Sequence, residues 1–124
     1  MSVSAFLRIT RPHNAIVAGL TALLGYLIAT GTLTVPSLLL AVIVALITAG
    51  GNVINDIFDI DIDRINRPDR PLPAGEISPG AAKTYALALF LSGIVLAALT
   101  TPLCLAISLI NSVILVAYAA RLKR

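Results

Sequence analysis

Long apolar runs separated by short polar islands organise this chain. About 20 mostly apolar residues are needed to cross a bilayer as a helix. Four runs qualify as spans, over residues 15–30, 36–55, 81–101 and 103–120. The second continues without proline or glycine from Asn52 to Asp63, so its helix is expected to extend to 63. Without Pro102, residues 86–120 would be too long for a single span, so a tight reversal is predicted at Thr100-Thr101-Pro102. Residues 64–80 form the connecting loop between the second and third spans. The pattern predicts one all-α, polytopic membrane domain over residues 1–124 with four transmembrane helices.

Composition agrees with that pattern. A soluble domain is about half apolar and about a quarter charged. This chain is 58% hydrophobic and 12% charged, with a mean hydropathy of +0.97, a pairing expected of a protein in lipid. No A-x-A-like cleavage pattern follows the first run, and that run is too long for a typical signal core, so it is read as a span. The lone cysteine, Cys104, excludes an internal disulfide and any multi-cysteine metal site; it reads as a small buried hydrophobe.

Charge placement adds orientation. Arg8 and Arg11 precede the first span, and Arg64, Arg67, Arg70 and Lys83 lie between the second and third. Arg121, Lys123 and Arg124 follow the fourth. The other two connections, at Gly31–Val35 and Thr100–Pro102, carry no charge. All nine basic residues therefore fall on one side, which the positive-inside tendency makes cytoplasmic. Both termini and the 64–80 loop are expected there, in a multi-pass protein of the cell membrane. The net charge of +3 is explained by this placement, and no nucleic-acid partner is expected. Gly19, Gly25 and Gly50-Gly51 read either as close-packing positions or, for the last pair, as a kink.

All six acids lie between Asp56 and Glu76. With Asn55 at zero and about 100° per residue, Asp59 falls at about 40°, Asn52 at about 60°, Asp63 at about 80° and Asp56 at about 100°. Asp61 falls at about 240°, off this polar arc. Asp59 and Asp63 are helical neighbours that repel when both are ionised. A cation between them removes the conflict, and an oxygen-only donor set suits Mg²⁺ or Ca²⁺ rather than Zn²⁺. A solvated helix end neutralised by nearby arginines is the plainer alternative. A calcium loop starting at Asp59 fails, because Arg64 stands where glycine is needed and Arg70 where glutamate is needed.

The following RINRPDRPLPAGEIS segment is a stiff, turning loop, because its prolines and glycine forbid a long helix. Arg67 and Arg70 are placed to return toward the acidic helix, and a guanidinium fork suits phosphate oxygens. Carboxylates for a metal and arginines for its anion together suggest a diphosphate ester. Ser78-Pro79 predicts the N-cap and first position of the next helix.

Asn55-Asp56-x-x-Asp59-x-x-x-Asp63 resembles the first aspartate-rich motif of the UbiA superfamily of intramembrane prenyltransferases. The Asn66–Gly75 run resembles the loop after it, and Arg11-Pro12-His13-Asn14 resembles the start of that family's first helix. The loop is most similar to the archaeal ether-lipid branch. Chlorophyll-type and other aromatic-acceptor branches, quinone included, carry similar loops. The resemblance implies Mg²⁺-dependent transfer of a prenyl group from a prenyl diphosphate to a lipophilic acceptor. In the ether-lipid branch this is geranylgeranyl transfer to the hydroxyl of geranylgeranylglyceryl phosphate. Carried over by position, Asn55, Asp59 and Asp63 hold Mg²⁺ with Asp56 close by. Arg67 and Arg70 contact the diphosphate or order the loop, and Asn14 lines the site from the first helix. His13 reads as an interfacial side chain rather than a base.

The family pattern has about nine spans and a second aspartate-rich motif, whereas no acid follows Glu76 here. The chain is therefore expected to be an N-terminal half: a fragment, a truncated product, or one part of a split enzyme that needs a separate C-terminal half. The competing class is a non-catalytic membrane protein that binds metal or lipid phosphate, or carries ions. Ion transport is disfavoured, because no ionisable residue lies between Ala15 and Gly51, or after Lys83 until Arg121.

Overall fold

The computed structural model describes residues 3–100, 102–117 and 120. Six helices follow in order: α1 Val3–Thr10, α2 Pro12–Thr30, α3 Val35–Phe58, α4 Ile60–Asn66, α5 Pro79–Ala98 and α6 Pro102–Ala117. The described residues contain no strand. The chain has the all-α architecture of a multi-pass membrane protein.

Three of these helices, α2, α3 and α5, are long and apolar enough to cross a membrane. At about 1.5 Å per residue, a 20-residue helix matches the roughly 30 Å hydrocarbon core. Described α6 has 16 residues, so it falls short of the length expected for the fourth span. The remainder of that expected span includes residues 118 and 119, which lie outside the described residues, as do Thr101 of the expected reversal and the basic cluster at 121–124. Among the described residues, three helices are thus long and apolar enough to span, and the expected fourth is not established.

Local chemistry sets the boundaries. Pro12 opens α2, and Gly31 closes it in the left-handed region at φ 78°, its N–H donating to the Leu27 carbonyl at 2.7 Å. Thr34 and Ser37 form a capping box at the start of α3: the Ser37 N–H donates to Thr34 Oγ1 at 3.3 Å and the Thr34 N–H to Ser37 Oγ at 2.9 Å. Ser78 caps α5 by accepting from the Ala81 N–H at 3.1 Å, with Pro79 next, as the sequence predicts. The polar extension of α3 is less regular than expected. Asp59, at φ −97° and ψ 7°, separates α3 from α4, so residues 52–63 are two helices rather than one. The ladder nevertheless crosses the break, with the Asp59 N–H on the Asn55 carbonyl at 3.0 Å and the Asp63 N–H on the Asp59 carbonyl at 2.8 Å.

Helix α3 is the hub and touches each of the other five. One apolar cluster, Ile43, Ile47, Phe90 and Ala97, joins α3 to α5 in mid-bundle. A second, with Ala5, Ile9, Val53, Leu72, Ile77 and Ala82, gathers α1, α3, α5 and the 67–78 loop at the polar end. Phe6 meets Tyr85 edge-on there, with ring centroids 5.0 Å apart. Large side chains such as Leu20, Ile28 and Leu87 face outward, the arrangement expected where the solvent is lipid.

The glycines divide by contact. A Cβ on Gly19 would lie 2.8 Å from the Ala41 carbonyl oxygen, whereas one on Gly25 would meet nothing within 4 Å. Gly50 abuts the Phe90 ring while α3 runs on through it, so Gly50 is a packing position and the helix break falls at Asp59. Gly19→Ala is expected to destabilise the α2–α3 pair by about 1–3 kcal/mol, because backbone must move. Gly25→Ala should be neutral or slightly stabilising. Denaturant unfolding of both variants in detergent micelles checks the contrast.

Candidate functional site

Polar chemistry concentrates where α3 ends, and it starts from burial. The Asp56 and Asp63 side chains are only 5% and 7% exposed. A carboxylate taken that far from water needs a cation and hydrogen bonds. Two arginines from different parts of the chain supply them. Arg11 Nη2 donates to Asp56 Oδ1 at 2.6 Å. Arg70 Nη1 lies between the two acids, 3.0 Å from Asp63 Oδ2 and 3.5 Å from Asp56 Oδ1. A single guanidinium thus ties the end of α3, the following helix α4 and the loop into one unit.

The backbone is shaped to deliver these groups. Arg11 is the one described non-glycine residue in the left-handed region, at φ 50°. Such a conformation costs about 1–3 kcal/mol and persists where surroundings over-determine it. Here it breaks α1 from α2 and aims the guanidinium at Asp56, 45 residues away in sequence. The loop returns through its own turns, with the Ala74 N–H on the Arg70 carbonyl at 2.9 Å and the Glu76 N–H on the Pro71 carbonyl at 2.9 Å. Gly75 takes φ 77°. Buried Leu72 and Ile77 pin the loop to the bundle. Arg8 pairs with Glu76 across the surface and joins α1 to the same loop.

Each sequence-predicted residue has a definite place. Asp61 points away from the site and is largely exposed, paired with Arg64 at 2.9 Å, as its position off the polar arc predicts. Asn55 and Asp59 are half-buried and both are hydrogen-bonded or otherwise paired. Asn14 reaches back to the α3 face: its Nδ2 donates to Asn52 Oδ1 at 3.3 Å, and Asn52 Nδ2 donates to the Thr10 carbonyl at 2.8 Å. Arg67 and Arg70 line a cavity of about 400 Å³ together with Arg8, Arg11 and Asp56. Its remaining wall includes exposed His13 and Asp69; Asn14, Asp59 and Asp63 do not line it. The cavity is an anion-attracting concavity with four guanidinium groups.

Neither Arg8 nor Arg11 was assigned to the site from the sequence, where both oriented the first span and Arg11 also opened the run that resembles the family's first helix. The available signal was their position at the same membrane end as the acids, with Arg11 directly before Pro12. Among the described residues no three His, Cys, Asp or Glu side chains gather into a metal-holding group. Asp56 and Asp63 meet Arg70 instead. Their oxygen chemistry still fits Mg²⁺ of the kind held by one or two carboxylates plus phosphate oxygens.

Removal of one partner from a buried pair strands the other charge. Arg11→Ala is therefore expected to lower stability by about 3 kcal/mol, whereas Asp61→Asn on the exposed pair should change it by less than about 0.5 kcal/mol. Unfolding midpoints of both variants in micelles give the comparison.

The chain matches known proteins in sequence and in fold. The UbiA prenyltransferase family pattern matches residues 15–124. The chain is 78% identical over its full length to digeranylgeranylglyceryl phosphate synthase of Methanoculleus marisnigri, and 58% identical over 99% of its length to that of Methanoregula boonei. It spans about 44% of the length of each of these curated relatives. A solved structure of digeranylgeranylglyceryl phosphate synthase in membranes superposes with a TM-score of 0.94 at 41% identity, over 98% of this chain and 44% of that one. With a matching pattern over most of its length and a matching helical framework, the chain belongs to the UbiA prenyltransferase family.

Proposed function

We propose that this chain forms the diphosphate-binding half of an Mg²⁺-dependent intramembrane prenyltransferase of archaeal ether-lipid synthesis. The donor is geranylgeranyl diphosphate and the acceptor is geranylgeranylglyceryl phosphate. The observation that carries this reading is the arginine-lined cavity built directly on Asp56. The names of the relatives support the product, digeranylgeranylglyceryl phosphate.

The residues divide the work by chemistry. Arg67 and Arg70 present guanidinium forks to the diphosphate, holding its oxygens and stabilising charge as it departs. Asn55, Asp59 and Asp63, with Asp56 beside them, are the oxygen donors for Mg²⁺. When bound, the ion neutralises charge on the diphosphate. The C–O bond of the donor breaks with its electron pair on the diphosphate. The acceptor hydroxyl oxygen forms the new C–O bond and loses its proton, leaving an ether. Asn14 acts through Asn52, fixing α2 against the acid-bearing face of α3. The second acidic motif implied by the family resemblance comes from a complementary C-terminal half. The charge placement supports a cytoplasmic position for the cavity, both termini and the 64–80 loop.

A prenyl-transfer assay tests this directly. It uses Mg²⁺ and both lipids, with the chain alone and together with the C-terminal segment of the Methanoculleus marisnigri relative. Transfer is expected only with both parts. Asp59→Ala and Asp63→Ala should abolish it, and Asp61→Ala should reduce it only mildly. Equal losses at all three positions would contradict the assignment by helix face.

A further inference from the structure

We propose that Arg70 is an exchangeable positioning residue: a divalent ion displaces its guanidinium from Asp56 and Asp63, and the released group then binds the diphosphate. The proposal rests on the diphosphate reading above and adds a coupling between its two ligands.

The two arginines grip Asp56 unequally. Arg11 holds Asp56 Oδ1 at 2.6 Å, while Arg70 reaches the same atom at 3.5 Å and shares the same Nη1 with Asp63 Oδ2 at 3.0 Å. A divalent ion on these carboxylates competes for the oxygens that Arg70 occupies, and Arg70 is the looser tie to Asp56. Arg11 is set by the α1–α2 junction and its left-handed backbone, so it stays. Arg70 belongs to a loop of successive turns, and its side chain is 25% exposed at the cavity. Once released, its fork remains in the same concavity as Arg67, whose side chain is exposed there.

Each ligand then changes the affinity for the other. Ion binding alone costs the Arg70 contacts with two buried carboxylates. Diphosphate binding alone must draw Arg70 away from the same carboxylates and leave them without its charge. Bound together, the ion neutralises the acids and the diphosphate satisfies the guanidinium, so neither charge is stranded. Linkage makes this coupling reciprocal. The loop thereby favours joint occupancy over occupancy by either ligand alone.

The test is calorimetric binding of Mg²⁺ to the chain in micelles, with and without inorganic diphosphate. Arg70→Gln is expected to bind Mg²⁺ alone about tenfold more tightly than the parent, the scale of a lost charged hydrogen bond, and to lose most of the enhancement by diphosphate. Arg70→Lys, which keeps the charge but not the fork, should keep Mg²⁺ affinity near the parent value while weakening the enhancement. Helix content by circular dichroism reports whether the variants fold. Hydrogen exchange on the unmodified chain needs no variant: protection across residues 67–77 should fall with Mg²⁺ alone and recover when diphosphate is added. Unchanged or weaker Mg²⁺ binding by folded Arg70→Gln, or unchanged loop protection with Mg²⁺, overturns the exchange and leaves the diphosphate reading standing. Failure of the parent chain to bind either ligand overturns both.

Discussion

Two buried carboxylates, one in the last turns of an apolar helix and one on the short helix that follows, impose the constraint on which this structure depends. Asp56 lies near the end of α3 and Asp63 on α4 just beyond the break, both nearly closed to solvent. Unpaired, each would cost several kcal/mol. The answer is to bring guanidinium groups from two distant segments, one before the first span and one after the second. Satisfying that demand explains features that look unrelated. It accounts for the left-handed Arg11, the separation of α1 from α2, and the return of the proline-rich loop onto the bundle. Buried Leu72 and Ile77 supply the apolar side of the same closure.

The apolar bundle and the polar end have different tasks. Close approach at Gly19 and Gly50 brings α2 and α5 against α3 and fixes its position. That rigid platform sets the direction in which Asn52, Asp56 and Asp63 emerge. The polar end then adds a concavity in which cations outnumber anions, beside an acid face suited to hard metal ions. The proposed diphosphate and its metal ion would answer these two charge requirements side by side. Large side chains that face outward cover the bundle beside this polar end.

Much of this was legible in the sequence because it depends on local period and local caps. Hydropathy located α2, α3 and α5, and Ser78-Pro79 marked the start of α5. Helical spacing separated Asp61 from Asp56 and Asp63 even though the helix breaks at Asp59, because the hydrogen-bond ladder crosses the break. Tertiary partnership was not legible. Period tells which face an aspartate occupies, not that an arginine 45 residues earlier will reach it. The left-handed conformation of Arg11 has no local signal beyond the following proline, since arginine has no preference for that region. Short α1 lacks the apolar length that reveals a span, and its role comes from packing Ala5 and Ile9 into the apolar cluster at the polar end.

Arg70 and Asp63 act as an energetic unit that joins the loop to α4. A double-mutant cycle measures this most directly, with unfolding free energies in micelles for Arg70→Gln, Asp63→Asn and the pair. The structure leads to a coupling of about 1.5 kcal/mol or more, because Arg70→Gln leaves the buried Asp63 carboxylate without its guanidinium. Additive effects within about 0.3 kcal/mol would show that the two residues act independently and would contradict the account.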